Sequence, residues 1–385
     1  MPDSSQQAMQ SLTAQWYNTV TTGLGLDPNT FQLIQTNQPL GTTTEQLWSA
    51  FDALPPLSVT NYFNPTQFNS FAQSYGSVVM NLQPTAATAF LKIMGDSYAQ
   101  WAAYNAANPP VPPQTPLDSF TAWAYRNISN PATQSAAITA FKQTLYTVPG
   151  IATNMYINGM GSPAFAYTTT YAQLQVLLAS APSKTVDMNS STASSDVSHT
   201  WAQGAVGGAY SIFSGSASGS YDQLSQQFAS SQVTVHASFN SVLQLAAGPL
   251  AQGSQDPTLS KYAPWYYAPA MNLAYQNNNN IVWNNNPPTW EQTFGPSGNM
   301  QRVCSALIIV DGIDITVTSQ ANFSQSDQQS FQAAAKAGFW PFFSVSASGG
   351  SSSSTSFGSD GSVTVTSSMP AGNPQVFGVI VTPIS

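Results

Sequence analysis

Two short stretches constrain the fold of this chain more than anything else in it. Phe213-Ser-Gly-Ser-Ala-Ser-Gly219 and Phe343-Ser-Val-Ser-Ala-Ser-Gly349 share six residues of seven at a separation of 130. Twenty residues beyond each phenylalanine stand Val233-Thr-Val235 and Val363-Thr-Val365, again 130 apart, although the loops between share little. A spacing that survives such different loops predicts two copies of one structural unit, with strand ends pinned and tips free to vary. The copies extend outward. Lys184-Thr-Val-Asp187 precedes Ser195-Asp196 in the first, and Ile315-Thr-Val-Thr318 precedes Ser326-Asp327 in the second. Each copy therefore reads strand, helix, strand, loop, strand, closed in the second by Val376 to Val381, with Val242 to Ala246 as the matching strand of the first.

Along the anchors Phe343, Val345 and Ala347 alternate with Ser344, Ser346 and Ser348, and Phe213, Gly215 and Ala217 alternate with serines in the same way. Side chains on a strand point to opposite faces in turn, so one face is apolar and the other is lined with hydroxyls. Asp311-Gly312 lies between two apolar runs, Val303 to Val310 and Ile313 to Thr318. That dipeptide predicts a two-residue hairpin turn, with a bulge in one long strand as the alternative.

Residues 1–182 carry helical periodicity instead. Met9, Leu12, Trp16 and Val20 predict a first helix ending near Gly23 and Gly25; Thr42 and Glu45 predict a capping box; Asn64-Pro65 opens a third helix. One long helix is expected over about 85–107, then a proline-rich connector, and further helices over about 117–128, 132–148 and around Tyr171 to Leu178. The expected fold is α+β: an all-α domain (1–182), then a duplicated, mainly antiparallel domain (183–385). In that second domain copy one covers about 184–250, an aromatic and Asn-rich insertion 251–301, and copy two about 303–385. Trp265, Tyr266, Tyr267, Trp283 and Trp290 in the insertion either pin it to the sheet or form a stacking platform for carbohydrate.

Charge narrows the function. Only 7 basic and 15 acidic residues are present, 6% charged against roughly 25% in an ordinary domain, with a net charge of −8. Such a surface does not attract nucleic acid or an anionic membrane. Uncharged polar faces do meet without desolvating ions, so homo-oligomer formation is expected. The lone Cys304 excludes an intrachain disulfide and reads as a small buried residue. The N-terminus has neither a basic nor an apolar signal region, and no 18-residue apolar run exists, so the compartment is not fixed and the expectation is a chain that is cytoplasmic or released without signal cleavage.

Gly95-Asp96-Ser97 and Asp196-Val-Ser-His199 resemble the Gly-Asp-Ser and Asp-x-x-His blocks of GDSL-type serine hydrolases. The resemblance implies Ser97 as nucleophile, His199 as base and Asp196 as its orienting partner. That family sets its serine after a strand, whereas Phe90 to Met94 continues a helical period here. His236 is expected on the solvent face of a strand. Asp311 and Asp314 are explained by turn and surface, and Gly204, Gly207 and Gly208 match no phosphate-binding string, so no metal or cofactor is expected. Two Ser-lined hairpin segments per chain resemble the membrane-inserting segments of perforin-like and cholesterol-dependent cytolysin pore formers. The leading expectation is a non-catalytic protein that self-associates or binds an uncharged partner through Ser/Thr-faced strands, with Phe213 and Phe343 among the contact candidates. Pore formation is the first alternative, a serine hydrolase the second.

Overall fold

The computed structural model describes residues 4–55, 70–83, 87–111, 113–197, 219–284, 286–335, 342 and 351–384. The fold is α+β, with most helices in the first half and an antiparallel seven-stranded sheet.

Helix α1 (Ser4–Leu24) buries Met9, Leu12, Trp16 and Val20 as the periodicity requires, and ends where Gly25 takes φ 72°. Strand β1 (Phe31–Pro39) follows, a departure from the all-helical expectation for this half. Its apolar part is only Phe31, Leu33 and Ile34, too short to signal a strand; it is fixed by pairing with the last strand of the chain. Helix α2 (Thr44–Asp52) is capped by Thr43 and Gln46, one residue beyond the expected box. Helix α3 (Phe71–Met80) is capped by Ser70, and the Asn64-Pro65 start lies outside the described residues.

The single helix expected over 85–107 is instead two, α4 (Ala87–Met94) and α5 (Ser97–Ala107). Gly95 at φ 49° breaks it, a left-handed conformation that a residue with a Cβ resists. Helices α6 (Pro116–Asn127) and α7 (Pro131–Thr144) carry the capping signals of Thr115 with Asp118 and of Asn130. Helix α8 (Val148–Met160) went unanticipated because Val148-Pro149-Gly150 reads as a stop; proline is tolerated in a first turn, where its missing N–H has no partner to lose. Helix α9 (Tyr171–Ala179) closes the series.

The second half contributes β2 (Lys184–Asn189), α10 (Gly219–Ala229), β3 (Val233–Ala246), α11 (Ala268–Gln276), α12 (Trp290–Phe294), β4 (Arg302–Ser319), α13 (Gln325–Ala335), β5 (Ser352–Phe357), β6 (Val363–Met369) and β7 (Gln375–Pro383). Strand β4 is the spine. On one edge it pairs with β3 from Ser319 to Ala306, and β2 pairs outside β3. On its other edge β6 takes residues 313–319 and β7 takes 302–310, so β6 and β7 follow one another along a single line. Strand β5 lies outside β6, and β1 outside β7.

Asp311-Gly312 is therefore not a hairpin but a kink inside β4, where one partner strand hands over to the next. Asp311 accepts from the Gly372 amide at 2.9 and 3.0 Å and from the Asn373 amide at 2.9 Å, tying down the β6–β7 link. Val376–Val381 falls within β7 as expected, whereas Val242–Ala246 simply continues β3. The anchors 213–219 and 343–349 lie outside the described residues, save that Gly219 opens α10. Their downstream partners are described: Val233 and Val363 stand on either side of Ser319, and Val235 and Val365 on either side of Val317. Before these strands the two copies differ, since helix α10 precedes Val233 and strand β5 precedes Val363.

Three apolar cores result. One joins the lower sheet to α2, α3, α8, α9 and the insertion, with Trp48, Phe51, Tyr75 and Trp265 inside. A second places α1, α10 and α13 under the upper sheet, around Trp16, Phe228, Phe331 and Val317. The third lies within α4–α7, built from Phe90, Trp101, Phe120 and Trp123. The first two cores share one sheet, so α1 and β1 belong with the strands of the second half although they precede residue 182. Burial of each such side chain stabilises by roughly 1.5–3 kcal/mol, which explains why the aromatic periodicities are met by packing.

Candidate functional site

The alternation that buries Val186, Val235, Val317 and Val365 turns the intervening residues outward on five strands in register. One row across the sheet is Thr185, Ser238, Asp314, Ser368 and Ser352. The next is Asp187, His236, Thr316, Thr366 and Ser354, and the third Asn189, Thr234, Thr318, Thr364 and Ser356. None of these fifteen side chains is buried. Rows sit about 6.6–6.8 Å apart along the strands and columns about 4.8 Å apart across them.

Neighbouring groups on this face already engage one another. The hydroxyls of Thr318 and Thr364 are 3.1 Å apart, and those of Ser352 and Ser368 2.8 Å. His236 Nδ1 meets Asp187 Oδ1 at 2.6 Å, both largely exposed, which confirms the solvent-facing placement of His236. An open groove of about 510 Å³ runs over Asp187, Asn189, Thr234, His236, Thr316 and Thr318. Each hydroxyl both donates and accepts, so the face can exchange water for a neutral hydrogen-bonding partner; each such exchange is worth only roughly 0.5–1.5 kcal/mol. Many contacts at once are needed for affinity.

The upper end of the same face carries the second feature. Asn189 pairs beside Thr234, and Ser319 stands between Val233 and Val363, so four strand ends are level. Residues 190–232 join β2 to β3 and residues 320–362 join β4 to β6; each connection is 43 residues long and leaves from that one end. Their described helices α10 and α13 meet through Phe228 and Phe331, with ring centroids 6.0 Å apart.

The hydrolase residues are dispersed. Ser97 opens α5 against the third core, Asp196 is exposed beside α1, where its carbonyl accepts from Asn18 at 3.0 Å, and His199 lies outside the described residues. Ser97 and Asp196 thus stand on different cores and are not brought together. Cys304 is buried, and burial pushes its thiol up to about 12, which removes it as a nucleophile at neutral pH. Among the described residues no group of three or more His, Cys, Asp or Glu is gathered to hold a metal, and no helix is long and apolar enough to cross a membrane.

The insertion's aromatics divide. Trp265 is fully buried and donates to the Ala166 carbonyl at 2.7 Å; Trp283 is 3% exposed and donates to the Ala274 carbonyl at 3.1 Å. Neither offers a face to a partner: both fasten the insertion, so the platform expectation is corrected for these two. Tyr266 and Tyr267 are half-buried, the Tyr267 amide donating to the Tyr75 hydroxyl at 2.9 Å. Trp290 is half-buried and donates to the Tyr275 carbonyl at 2.8 Å. Phe213 and Phe343 lie outside the described residues. The apolar–serine alternation legible in the chain runs along residues 213–217 and 343–348, which lie outside the described residues; the grid was not legible, because cross-strand register is not written in any one strand.

Comparison with protein-family models, with curated proteins and with solved structures returns no match.

Proposed function

We propose that this protein forms pores, with residues 190–232 and 320–362 refolding into two β-hairpins that prolong the pairs β2/β3 and β4/β6. The observation that carries this reading is the connectivity. Two adjacent antiparallel pairs end level with one another, and each is joined by 43 residues. Split into two arms, such a segment reaches about 65–70 Å at roughly 3.3 Å per residue, where about 9–11 tilted residues per strand cross a bilayer. The segments contain only five charged residues, Asp196, Asp222, Asp327, Lys336 and Asp360. Alternation of Phe343, Val345 and Ala347 with serines suits a wall with lipid on one side and water on the other.

Refolding of this kind dissolves α10 and α13 and frees Phe228 and Phe331 for lipid. Dye release from neutral phosphatidylcholine vesicles tests it, together with single-cysteine variants from Phe343 to Gly349 carrying a polarity-sensitive fluorophore. Release with a two-residue alternation of the blue shift is expected. Vesicles that stay sealed, with uniform emission along the segment, would refute it.

A second reading, lipid-free self-association, is favoured by the hydroxyl grid. Large particles in light scattering without vesicles, dispersed by Thr316→Lys with Thr366→Lys, support that reading; a monomer unaffected by vesicles counts against both.

A further inference from the structure

A second cavity, of about 600 Å³, lies where the α4–α7 cluster meets α3, α8 and the insertion. Its size falls within the roughly 300–1,000 Å³ of small-molecule sites, and a junction between cores is a common place for one. Its apolar walls are broad: Tyr98, Phe141, Pro109, Pro110 and Pro149 line it. Asn105 and Asn284 line it as well. No charged side chain lines it among the described residues. The Tyr98 hydroxyl and the side-chain amides of Asn105 and Asn284 make no hydrogen bond to other described residues, and each of the three residues is only partly exposed. Desolvation raises the pKa of Tyr98, so its phenol stays protonated and able to donate.

We infer that this cavity is a binding site for a neutral saccharide of one to three rings. A sugar ring presents flat C–H faces that suit aromatic and proline surfaces, and hydroxyls around its edge that suit amides and a phenol. A sterol or acyl chain would fill the space but leave the amides and the phenol unpaired, which costs affinity. An anionic glycan would find no cation among the described lining residues. No described residue of the two long connectors lines the site, and the inference holds whether or not the protein acts on membranes.

Ligand-observed NMR of the full chain with methyl glucoside, methyl galactoside, methyl N-acetylglucosaminide, cellobiose, lactose and chitotriose tests the site. At least one is expected to bind with a Kd in the millimolar range or below. Asn105→Ala and Tyr98→Phe should each weaken it about 3- to 10-fold without moving Tm, and Ala102→Trp, on the exposed wall, should abolish it. No binding by any of the six saccharides would overturn the inference. Binding that survives Ala102→Trp would do the same, as would uptake of cholesterol in place of every sugar.

Discussion

Gly312 offers the sharpest test of how the long strand is built. It sits inside β4 at φ 64°, opposite Asn240 of β3. A Cβ added there lies 2.5 Å from Asn240 Nδ2 and 2.8 Å from Asn240 Cβ. The amide can swing toward solvent, since Asn240 is exposed, but its Cβ is held by the strand. Gly312→Ala therefore meets two costs. The left-handed backbone costs about 1–2 kcal/mol and the steric conflict about another 1 kcal/mol, offset by roughly 0.4–1 kcal/mol from a less flexible unfolded chain. The expected net loss is about 1–2.6 kcal/mol. Asn240→Gly removes the facing Cβ, so in a double-mutant cycle the steric part, about 1 kcal/mol, should appear as coupling while the backbone part persists. Urea unfolding followed by tryptophan fluorescence measures all four corners. A Gly312→Ala protein within about 0.5 kcal/mol of wild type would refute the positive-φ kink, and zero coupling would refute the Asn240 contact.

Two further predictions concern protonation and access. Tyr262 donates to the Glu45 carboxylate, and that bond holds Glu45 below its ordinary value and pushes the Tyr262 phenol up to about 12. The lowered carboxylate stabilises above its unfolded value of 4.5 and loses that contribution as pH falls through the folded one; the raised phenol stabilises below 10 and loses its contribution as pH rises through 12. Urea midpoints should fall on both sides of a plateau, and Tyr262→Phe should flatten both limbs at this pair. The Cys304 thiol should ignore an aromatic disulfide reagent at neutral pH and react fully in denaturant; rapid reaction of the native protein would show that this part of β4 opens.

Much of the architecture is local and so was legible in the chain. Periodicity placed α1 because Met9, Leu12, Trp16 and Val20 fall on one face, and α6 and α7 begin at Thr115 and Asn130 because a side chain and a backbone amide two or three residues apart are enough to start a helix. Alternation of apolar residues with serine is legible along 213–217 and 343–348, because the side-chain period of two is a property of each strand alone, but those residues lie outside the described ones. Where the outcome depended on a distant partner, inspection of the chain stopped short. Strand β1 exists because β7 pairs with it, and Asp311-Gly312 bends rather than turns back because β3 lies along both halves of β4. The segment Gly95 to Ser97 resembles a nucleophile block as a string, but the fold makes it a helix junction and sets Asp196 on another core. Residue order thus determined which faces are polar and where helices begin. Tertiary structure alone decided which rows of hydroxyls stand side by side and which strand ends meet, because register and level are set by contacts between residues far apart in the chain.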